Sequence, residues 1–497
     1  MNRRTPGLLF FIVAGLAVLG FGQKHDPKTA VLPLTTKSPK VRHLLDEAWK
    51  LNLDQVEQEK AVEVLRRIVA IDPGFAMGHE LLSQSSLDPA EQLREQNKAF
   101  ATRSHASHSE QLVIEWFQNA ANHKLIPAIT DMNDVLNQYP HDRWVVFLAN
   151  WWLTTETQYE RAAAVYENSG ITDSPGLMNN TAYTYAYMRQ FDKAFALMDK
   201  YIAALPDQPN PQDSYAEILR MAGHFDQAIE HYKAALAINP EFYSSEFGIA
   251  DTYSLMGDQD NARKEYEIAF HRFRLPVMHQ VQWQTREATT YIREGDYSGA
   301  DHVFQALADF AHAKHMCQVE ADTYRQMAMY QPDHTKAAAF LTKAEVALSE
   351  GKNALPAMIK QESAQILRAR VELGLRMDDS KSTRTALARL SDLSQSSDDK
   401  LIDSAYHGAA GAVLFSEHKY KDAISHLEED INNPLSLKLL TVAYEKAGDA
   451  PDAKHTAETL ANLNDPTLEQ AMIVPAFRKC YQDPACGGSL KDASLQK

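Results

Sequence analysis

An internal repeat in residues 209–274 constrains the fold more than any other feature of this 497-residue chain. Four positions recur with an offset of 34 residues: Gly223, Ala228, Tyr232 and Ala235 are followed by Gly257, Ala262, Tyr266 and Ala269. A glycine followed by small and aromatic residues at helical spacing is typical of a turn leading into a helix that is buried on one side. The repeat therefore predicts units of two helices joined by a short turn.

The first copy also carries signals for where its helices begin and end. Asn210 is the expected N-cap of the first helix and Pro211 its first residue. Gly223 is expected to end that helix, and Asn239-Pro240 to end the second. Runs of β-branched residues at period two are absent, so we expect no strands.

Taken together, these residues resemble the tetratricopeptide repeat (TPR), with its turn glycine, the alanine–tyrosine–alanine pattern and a terminal proline. The resemblance implies an all-α fold, a right-handed α-solenoid of stacked antiparallel helix pairs, as in exported bacterial multi-TPR arrays. We expect the array at 40–465, with ten to eleven units, and a C-terminal tail at 466–497. The anchoring alanines recur in steps of 34, 32, 34 and 34 residues: Ala128, Ala162, Ala194, Ala228 and Ala262.

The N-terminal residues have the features of a targeting signal and are not expected to be part of the fold. Arg3 and Arg4 precede an apolar run at 8–22, which predicts a secretory signal peptide at 1–22 and a short linker at 23–39. We therefore expect a periplasmic or secreted protein, with no membrane insertion after cleavage. The alternative is an uncleaved inner-membrane anchor at 8–22, although this run is shorter than the ~20 residues of a typical span.

Charge limits the classes of partner. The formal net charge is −16, which disfavours nucleic acid because its phosphates are bound mainly through lysine and arginine. We expect an unidentified protein or peptide partner. The negative charge is compatible with a basic partner. The simpler interpretation is that the charge keeps the protein soluble.

Motifs for catalysis are not found. The sequence has neither of the glycine-rich phosphate-binding motifs and no G-x-S-x-G elbow, and His79-Glu80 is not followed by the second histidine of a zinc-protease motif. We predict no enzyme activity, no cofactor and no metal site. Cys480 and Cys486 could form a disulfide in an oxidising compartment; the alternative is two free thiols.

The resemblance places ligands on the concave face, which is lined by the first helix of each pair. Phasing on the anchoring alanines gives the candidate groove residues Trp144, Phe147, Trp151, Asn179, Tyr183, Tyr187, Phe247 and Asp251. Aromatic side chains supply large contact areas with few rotamers to fix, which suits a binding surface.

Two functions follow as hypotheses. The first is a non-catalytic protein-interaction scaffold exported to the cell envelope, which predicts a broad groove of mixed charge. The second is a binding module for a peptide or other small or extended ligand, which predicts a closed pocket around Trp144, Trp151 and Tyr183.

Overall fold

The computed structural model describes residues 31–122, 124–351 and 356–482, and within these ranges the chain forms helices and no strand. Twenty-five α-helices follow one another through the described residues, and each pairs chiefly with its neighbours in sequence. The predicted all-α array of stacked helix pairs is therefore confirmed. The predicted signal peptide at 1–22 lies outside the described residues.

Twelve helix pairs make up the array. The first six are α1 (Pro39–Trp49) with α2 (Gln58–Ile71), α3 (Ala76–Ser85) with α4 (Pro89–Thr102), α5 (His108–Ala121) with α6 (Leu125–Gln138), α7 (Arg143–Thr155) with α8 (Tyr159–Ser169), α9 (Pro175–Tyr187) with α10 (Phe191–Ala204), and α11 (Pro209–Ala222) with α12 (Phe225–Ile238). The last six are α13 (Tyr243–Met256) with α14 (Gln259–Arg272), α15 (Val277–Glu294) with α16 (Tyr297–Ala313), α17 (Cys317–Tyr330) with α18 (His334–Glu350), α19 (Pro356–Arg376) with α20 (Ser380–Gln395), α21 (Lys400–Ser416) with α22 (Tyr420–Leu427), and α23 (Pro434–Ala447) with α24 (Ala450–Ala461). The final helix, α25 (Leu468–Gln482), follows them.

The anchoring alanines lie in the interior of the helix array. All five are completely inaccessible to solvent: Ala128, Ala162, Ala194, Ala228 and Ala262. Their small side chains let neighbouring helices approach, while the buried rings of Tyr232 and Tyr266 fill the space between them.

The described residues contain twelve pairs, where ten to eleven units were expected, and the turns within the pairs are of two kinds. Gly223 and Gly257 end α11 and α13 with φ of 85° and 93°, as predicted. In other pairs a non-glycine residue takes the left-handed conformation, among them Thr157 (φ 56°) and Arg189 (φ 57°). These two turns lack the glycine of the repeat at 209–274, and their units are recognisable in the sequence by Ala162 and Ala194 instead.

The start of α11 differs from the expectation. The helix begins at Pro209, two residues before Pro211, and Asn210 lies inside its first turn. The Asn210 side chain does not cap the helix; it donates hydrogen bonds to the Tyr201 hydroxyl at 3.0 Å and the Ser214 hydroxyl at 3.2 Å. Pro209 already has the fixed φ that a first helical residue needs.

The C-terminal units fold back over the middle of the array. Helix α25 packs against α15 as well as α23 and α24. The Arg189 guanidinium donates to the Asn462 carbonyl at 3.2 Å, and the Asn464 amide donates to the Met221 carbonyl at 3.3 Å. The Lys400 ammonium donates to the Thr157 hydroxyl at 2.6 Å. The C-terminal units thus cover part of the inner face of the array.

The described part of the predicted linker is extended and lies against the array. The Leu32 amide donates to the Asp142 carboxylate at 2.8 Å, and the Thr36 hydroxyl donates to the Asp72 carboxylate at 2.7 Å. Leu32 and Thr36 are both buried. These contacts therefore attach the N-terminal segment to the start of α7 and the end of α2.

Within the described ranges, no helix is both long enough and apolar enough to cross a bilayer.

Candidate functional site

Two large cavities lie between the inner face of α7–α10 and the returning helices α21–α24. Their volumes are about 1070 Å³ and about 750 Å³. They are contiguous, since several residues line both: Thr155, Thr157, Tyr159, Glu160, Glu428, Ile431 and Asn432. We call this space the inner chamber.

Aromatic hydroxyl groups line the larger part of the inner chamber. Tyr159 and Tyr187 stack with their ring centroids 5.3 Å apart, and Tyr187 is 46% exposed. The Tyr183 hydroxyl donates to the Glu217 carboxylate at 2.8 Å. Burial, with Glu217 and Asp213 nearby, raises the pKa of Tyr183 well above its usual range. Tyr183 is therefore a permanent donor at neutral pH.

Carboxylates dominate the smaller part of the inner chamber. Glu160, Asp398 and Glu429 line it and are exposed. Two arginines also reach this wall, but each is engaged by acids of the fold: Arg325 contacts Glu362 at 2.8 Å, and Arg368 contacts Asp430 at 2.8 Å. Lys400 also lines this wall and donates to the Thr157 hydroxyl, so acidic side chains outnumber the cations that are not paired with acids of the fold.

A third space of about 270 Å³, here called the side cavity, lies between α1, α3, α7 and α9. It is lined by aliphatic residues, aromatic rings, amides and a hydroxyl, and no charged residue is among its described lining: Ala48, Trp49, Asn52, Leu53, Val56, Gln58, Leu65, Leu81, Gln84, Ser85, Phe147, Leu148, Trp151, Gly176, Asn179 and Asn180. Trp151 and Asn180 also line the inner chamber, so the two spaces adjoin.

A π-helical turn at Lys50–Asp54 forms one wall of the side cavity. The Gly176 amide donates to the Asp54 carboxylate at 3.1 Å, and the Tyr201 hydroxyl donates to the Asp54 carbonyl at 2.8 Å. Gly176 is required by close approach, because a Cβ there would lie 2.4 Å from the Leu53 carbonyl oxygen. The π-helical turn therefore packs directly against the start of α9.

The structure divides the predicted groove residues among three environments. Phe147, Trp151 and Asn179 line the side cavity, and Trp144 packs edge-on against Trp49, which also lines it. Tyr183 and Tyr187 line the inner chamber. A binding role for these residues stays a prediction.

Phe247, in contrast, lies in the helix core. Its ring is completely buried and stacks on Trp283 of α15, with ring centroids 3.9 Å apart and an interplanar angle of 10°. Only the packing of α15 against α13 places Trp283 on that ring. The Phe247 ring therefore presents no surface to the inner chamber.

Asp251 is the centre of a buried charged network. Its carboxylate accepts a hydrogen bond from the Arg220 guanidinium at 3.2 Å and further hydrogen bonds from Arg286 and the Tyr266 hydroxyl. Asp251 is 1% exposed and Arg220 is 2% exposed. The carboxylate is thus fully engaged by groups of α11, α14 and α15.

Three parts of the enclosed site are not evident in the sequence. They are the π-helical turn at 50–54, the loop at 462–465 and the acidic residues Glu428 and Glu429. Their helical units lie far along the chain from α7 and α9, and nothing in the local pattern relates them to that face. The only indication of the π-helical turn in the sequence is the long connection between α1, which ends at Trp49, and α2, which begins at Gln58.

The remaining predicted features concern cysteine and metal. Cys486 of the predicted disulfide lies outside the described residues, so that pairing stays a prediction. Among the described residues, no group of three or more His, Cys, Asp or Glu side chains is arranged to hold a metal ion.

Glu80 is a buried carboxylate on α3 whose ionisation should make the stability of the protein depend on pH. Its carboxylate is 1% exposed and accepts a hydrogen bond from the Gln84 amide at 2.9 Å. Burial raises the pKa of Glu80 to about 7, whereas the unfolded chain loses this proton near its ordinary value of 4.5. The unfolded state is therefore favoured as pH rises from 4.5 to 7, and stability falls across that window.

We expect Glu80→Gln to remove this loss. The variant should match the wild type near pH 4.5 and exceed its free energy of unfolding by about 3 kcal/mol at pH 8. Urea unfolding at both pH values measures the difference, with the exposed Glu63→Gln as the matched control. A variant less stable than the wild type at pH 8 would contradict the raised pKa of Glu80 in the folded state.

Comparisons with known proteins give only distant likenesses. No protein-family model matches the sequence, and no curated protein matches it significantly. The chain is similar in structure to yeast Tom70, at 13% identity and a TM-score of 0.39, over 92% of this chain and 100% of that one. It is also similar to a tetratricopeptide repeat protein from Parabacteroides merdae, at 14% identity and a TM-score of 0.36, over 52% and 98%. A third likeness is to the Cut9–Hcn1 hetero-tetramer of the APC/C, at 12% identity and a TM-score of 0.32, over 82% and 96%.

Proposed function

We propose that this protein is a non-catalytic interaction scaffold that holds an extended, lysine- or arginine-rich segment of a partner protein in its inner chamber. The observation that carries this proposal is the enclosed acidic wall formed by Glu160, Asp398 and Glu429, next to the tyrosines of α8 and α9. A chamber of this size and shape suits an extended segment rather than a folded domain.

Charge and surface type support this choice of ligand. The exposed carboxylates can pair with basic side chains, and their attraction would be strengthened by partial exclusion of water. Tyr159 and Tyr187 provide flat surfaces on which aliphatic stems or guanidinium groups can pack. The overall charge of −16 favours encounter with a basic partner.

Export to the cell envelope is part of the proposal. It is supported by Arg3, Arg4 and the apolar run at 8–22. Mass spectrometry of the protein from its native cells tests it: a chain that retains the first 22 residues would contradict cleavage.

Site-specific crosslinking tests the binding mode. We expect p-benzoylphenylalanine at Tyr187, inside the chamber, to crosslink a partner polypeptide in a lysate of the source cells. The same group at Ile126, which is 79% exposed on α6, should not crosslink it. Adding Glu160→Gln and Glu429→Gln to the Tyr187 variant should reduce the crosslinked product at least several-fold, more so at low salt.

The controls distinguish binding in the chamber from non-specific crosslinking. Glu63→Gln, an exposed change on α2, should leave the crosslink at Tyr187 intact. Equal products at Tyr187 and Ile126, or a product from Tyr187 that does not respond to the glutamine substitutions, would refute binding in the chamber. Peptide mapping of the product identifies whether the captured segment is basic.

A further inference from the structure

The negative charge of the inner chamber is concentrated in its smaller part. Asp398 and Glu429 are among the exposed residues that line this part. The larger part meets it at a border that includes Glu160 and Glu428, which line both. A cation that binds in the smaller part or at this border gains carboxylate partners. The basic residues of a bound segment are therefore expected at this end of the chamber.

Beyond that border the larger part offers a ligand little charge, and we call this region the neutral part. Apart from His455, the charged residues described in its lining are Arg189 and Asp465, which are opposite in sign. The Arg189 guanidinium donates to the Asn462 carbonyl at 3.2 Å, and the Asp465 carboxylate interacts electrostatically with Arg220. A lysine or arginine of a ligand would lose hydration here without gaining a carboxylate of its own.

Apolar and aromatic side chains are exposed in the larger part. Ile431, between α22 and α23, is 52% exposed, and Tyr187, at the end of α9, is 46% exposed. The Tyr444 hydroxyl donates to the Glu428 carboxylate, so this hydroxyl is already paired within the fold. Exposed apolar surface inside a cavity is typical of a site for apolar groups of a ligand.

The side cavity adjoins the neutral part and not the acidic one. Trp151 and Asn180 line both the side cavity and the larger part of the chamber. No described residue of the side cavity lines the smaller part. The spaces therefore form a series, from the acidic part through the neutral part to a cavity whose described lining is uncharged.

Amide groups that line the side cavity are already paired within the fold. The Asn52 amide donates to the Ser85 hydroxyl at 3.1 Å, and the Gln58 amide donates to the Ser85 carbonyl at 2.8 Å. The Asn180 amide donates to the Asn150 side-chain oxygen at 2.6 Å. These donors are therefore not available to select a polar ligand.

Apolar surface and volume define what the side cavity can hold. The partly exposed rings of Trp49, Phe147 and Trp151 line it, together with Val56, which is 43% exposed. An engineered cavity of about 150 Å³ in another protein holds one benzene ring. A space of about 270 Å³ therefore accommodates one bulky apolar side chain.

We infer that the segment held by this protein is bipartite. Its lysine or arginine residues lie in the smaller, acidic part of the inner chamber, and a bulky apolar side chain from its other end enters the side cavity past Trp151 and Asn180. The inference rests on the proposed function and adds a second recognition element to it. A segment that is basic along its whole length would place cations in the neutral part, where they gain no partner.

Selection of peptides by the full chain tests the inference. The probe is a random linear peptide library displayed on phage. We expect the enriched peptides to carry basic residues in one stretch and a phenylalanine, leucine, methionine or tryptophan in another. The best peptide is then synthesised with a fluorescent label, and its Kd is measured by anisotropy. Serine in place of its bulky apolar residue, or in place of its basic residues, should weaken binding about tenfold or more.

Two protein variants locate the two ends of the peptide. Val56→Asp places a charge in the side cavity and should weaken the parent peptide about tenfold or more. It should not weaken the form in which serine replaces the apolar residue. The φ of Val56 is 57°, a conformation that aspartate tolerates. Glu160→Gln together with Glu429→Gln should weaken the parent peptide but not the form that lacks the basic residues.

A matched control and a folding check accompany these variants. Val346→Asp makes the same change at a position that is 50% exposed on α18, and it should leave every affinity unchanged. Circular dichroism and the unfolding midpoint verify that each variant folds.

Each outcome decides the inference. Enriched peptides that are basic along their whole length, or a parent peptide that Val56→Asp weakens no more than Val346→Asp does, overturn the bipartite segment and leave the proposed scaffold function standing. Enriched peptides without basic residues overturn both. If the folded chain selects no peptide, the bipartite segment is overturned, and crosslinking at Tyr187 decides the proposed function by itself.

Discussion

Replacement of Phe247 by alanine is expected to lower the free energy of unfolding by about 3–5 kcal/mol. The ring is completely buried and stacks on Trp283, so its removal both loses the transfer energy of the ring and leaves a cavity between α13 and α15. Urea unfolding followed by circular dichroism measures the loss. Tryptophan fluorescence reports it independently, since Trp283, one of six tryptophans in the chain, faces the deleted ring.

A matched change at a more exposed ring provides the control. Phe100 is 38% exposed on α4, and its replacement by alanine should cost about 1 kcal/mol or less. If Phe247→Ala unfolds like the wild type and instead loses the crosslink from Tyr187, Phe247 belongs to the binding surface after all and the core assignment is wrong.

Replacement of Asp251 by asparagine is expected to destabilise the protein by about 3–5 kcal/mol. The substitution keeps the shape of the side chain and removes the negative charge that Arg220 and Arg286 share. Arg220 would then be a buried cation whose closest remaining acid is Glu217, at 2.9 Å. Uncompensated buried charge is far more costly than the pair itself is stabilising.

The same substitution at an exposed ion pair shows what burial contributes. Asp260 contacts Arg263 at 2.7 Å, but its side chain is 93% exposed. Asp260→Asn should therefore change the free energy of unfolding by less than about 0.5 kcal/mol. Equal effects of the two substitutions would argue against a central role for the Asp251 network.

The repeat units themselves were predictable from local sequence. The 34-residue offset, the left-handed turns at Gly223 and Gly257 and the buried alanines are all features of a single unit and its immediate neighbour. They are encoded locally because each helix buries its stripe against helices a few dozen residues away. The amphipathic pattern also identified Trp151, Tyr183 and Tyr187, whose side chains do line cavities.

The exposure of the inner face was decided only by tertiary structure. Trp283 packs on Phe247 from α15, the first helix after the recognisable repeat at 209–274. The π-helical turn at 50–54, which belongs to the first unit, contacts α9. The contact between Arg293 and Gln470 joins residues separated by 177 positions.

Such closure depends on small rotations between successive pairs that accumulate along the array. The total rotation along the array cannot be predicted from the sequence pattern of any single unit. Sequence alone therefore determined the helix pairs and the candidate faces, whereas the three-dimensional path of the array determined which of those faces became a chamber, a side cavity or core. The physical reason is that helix packing is fixed by neighbouring side chains, while enclosure requires contacts between units that are distant in the chain.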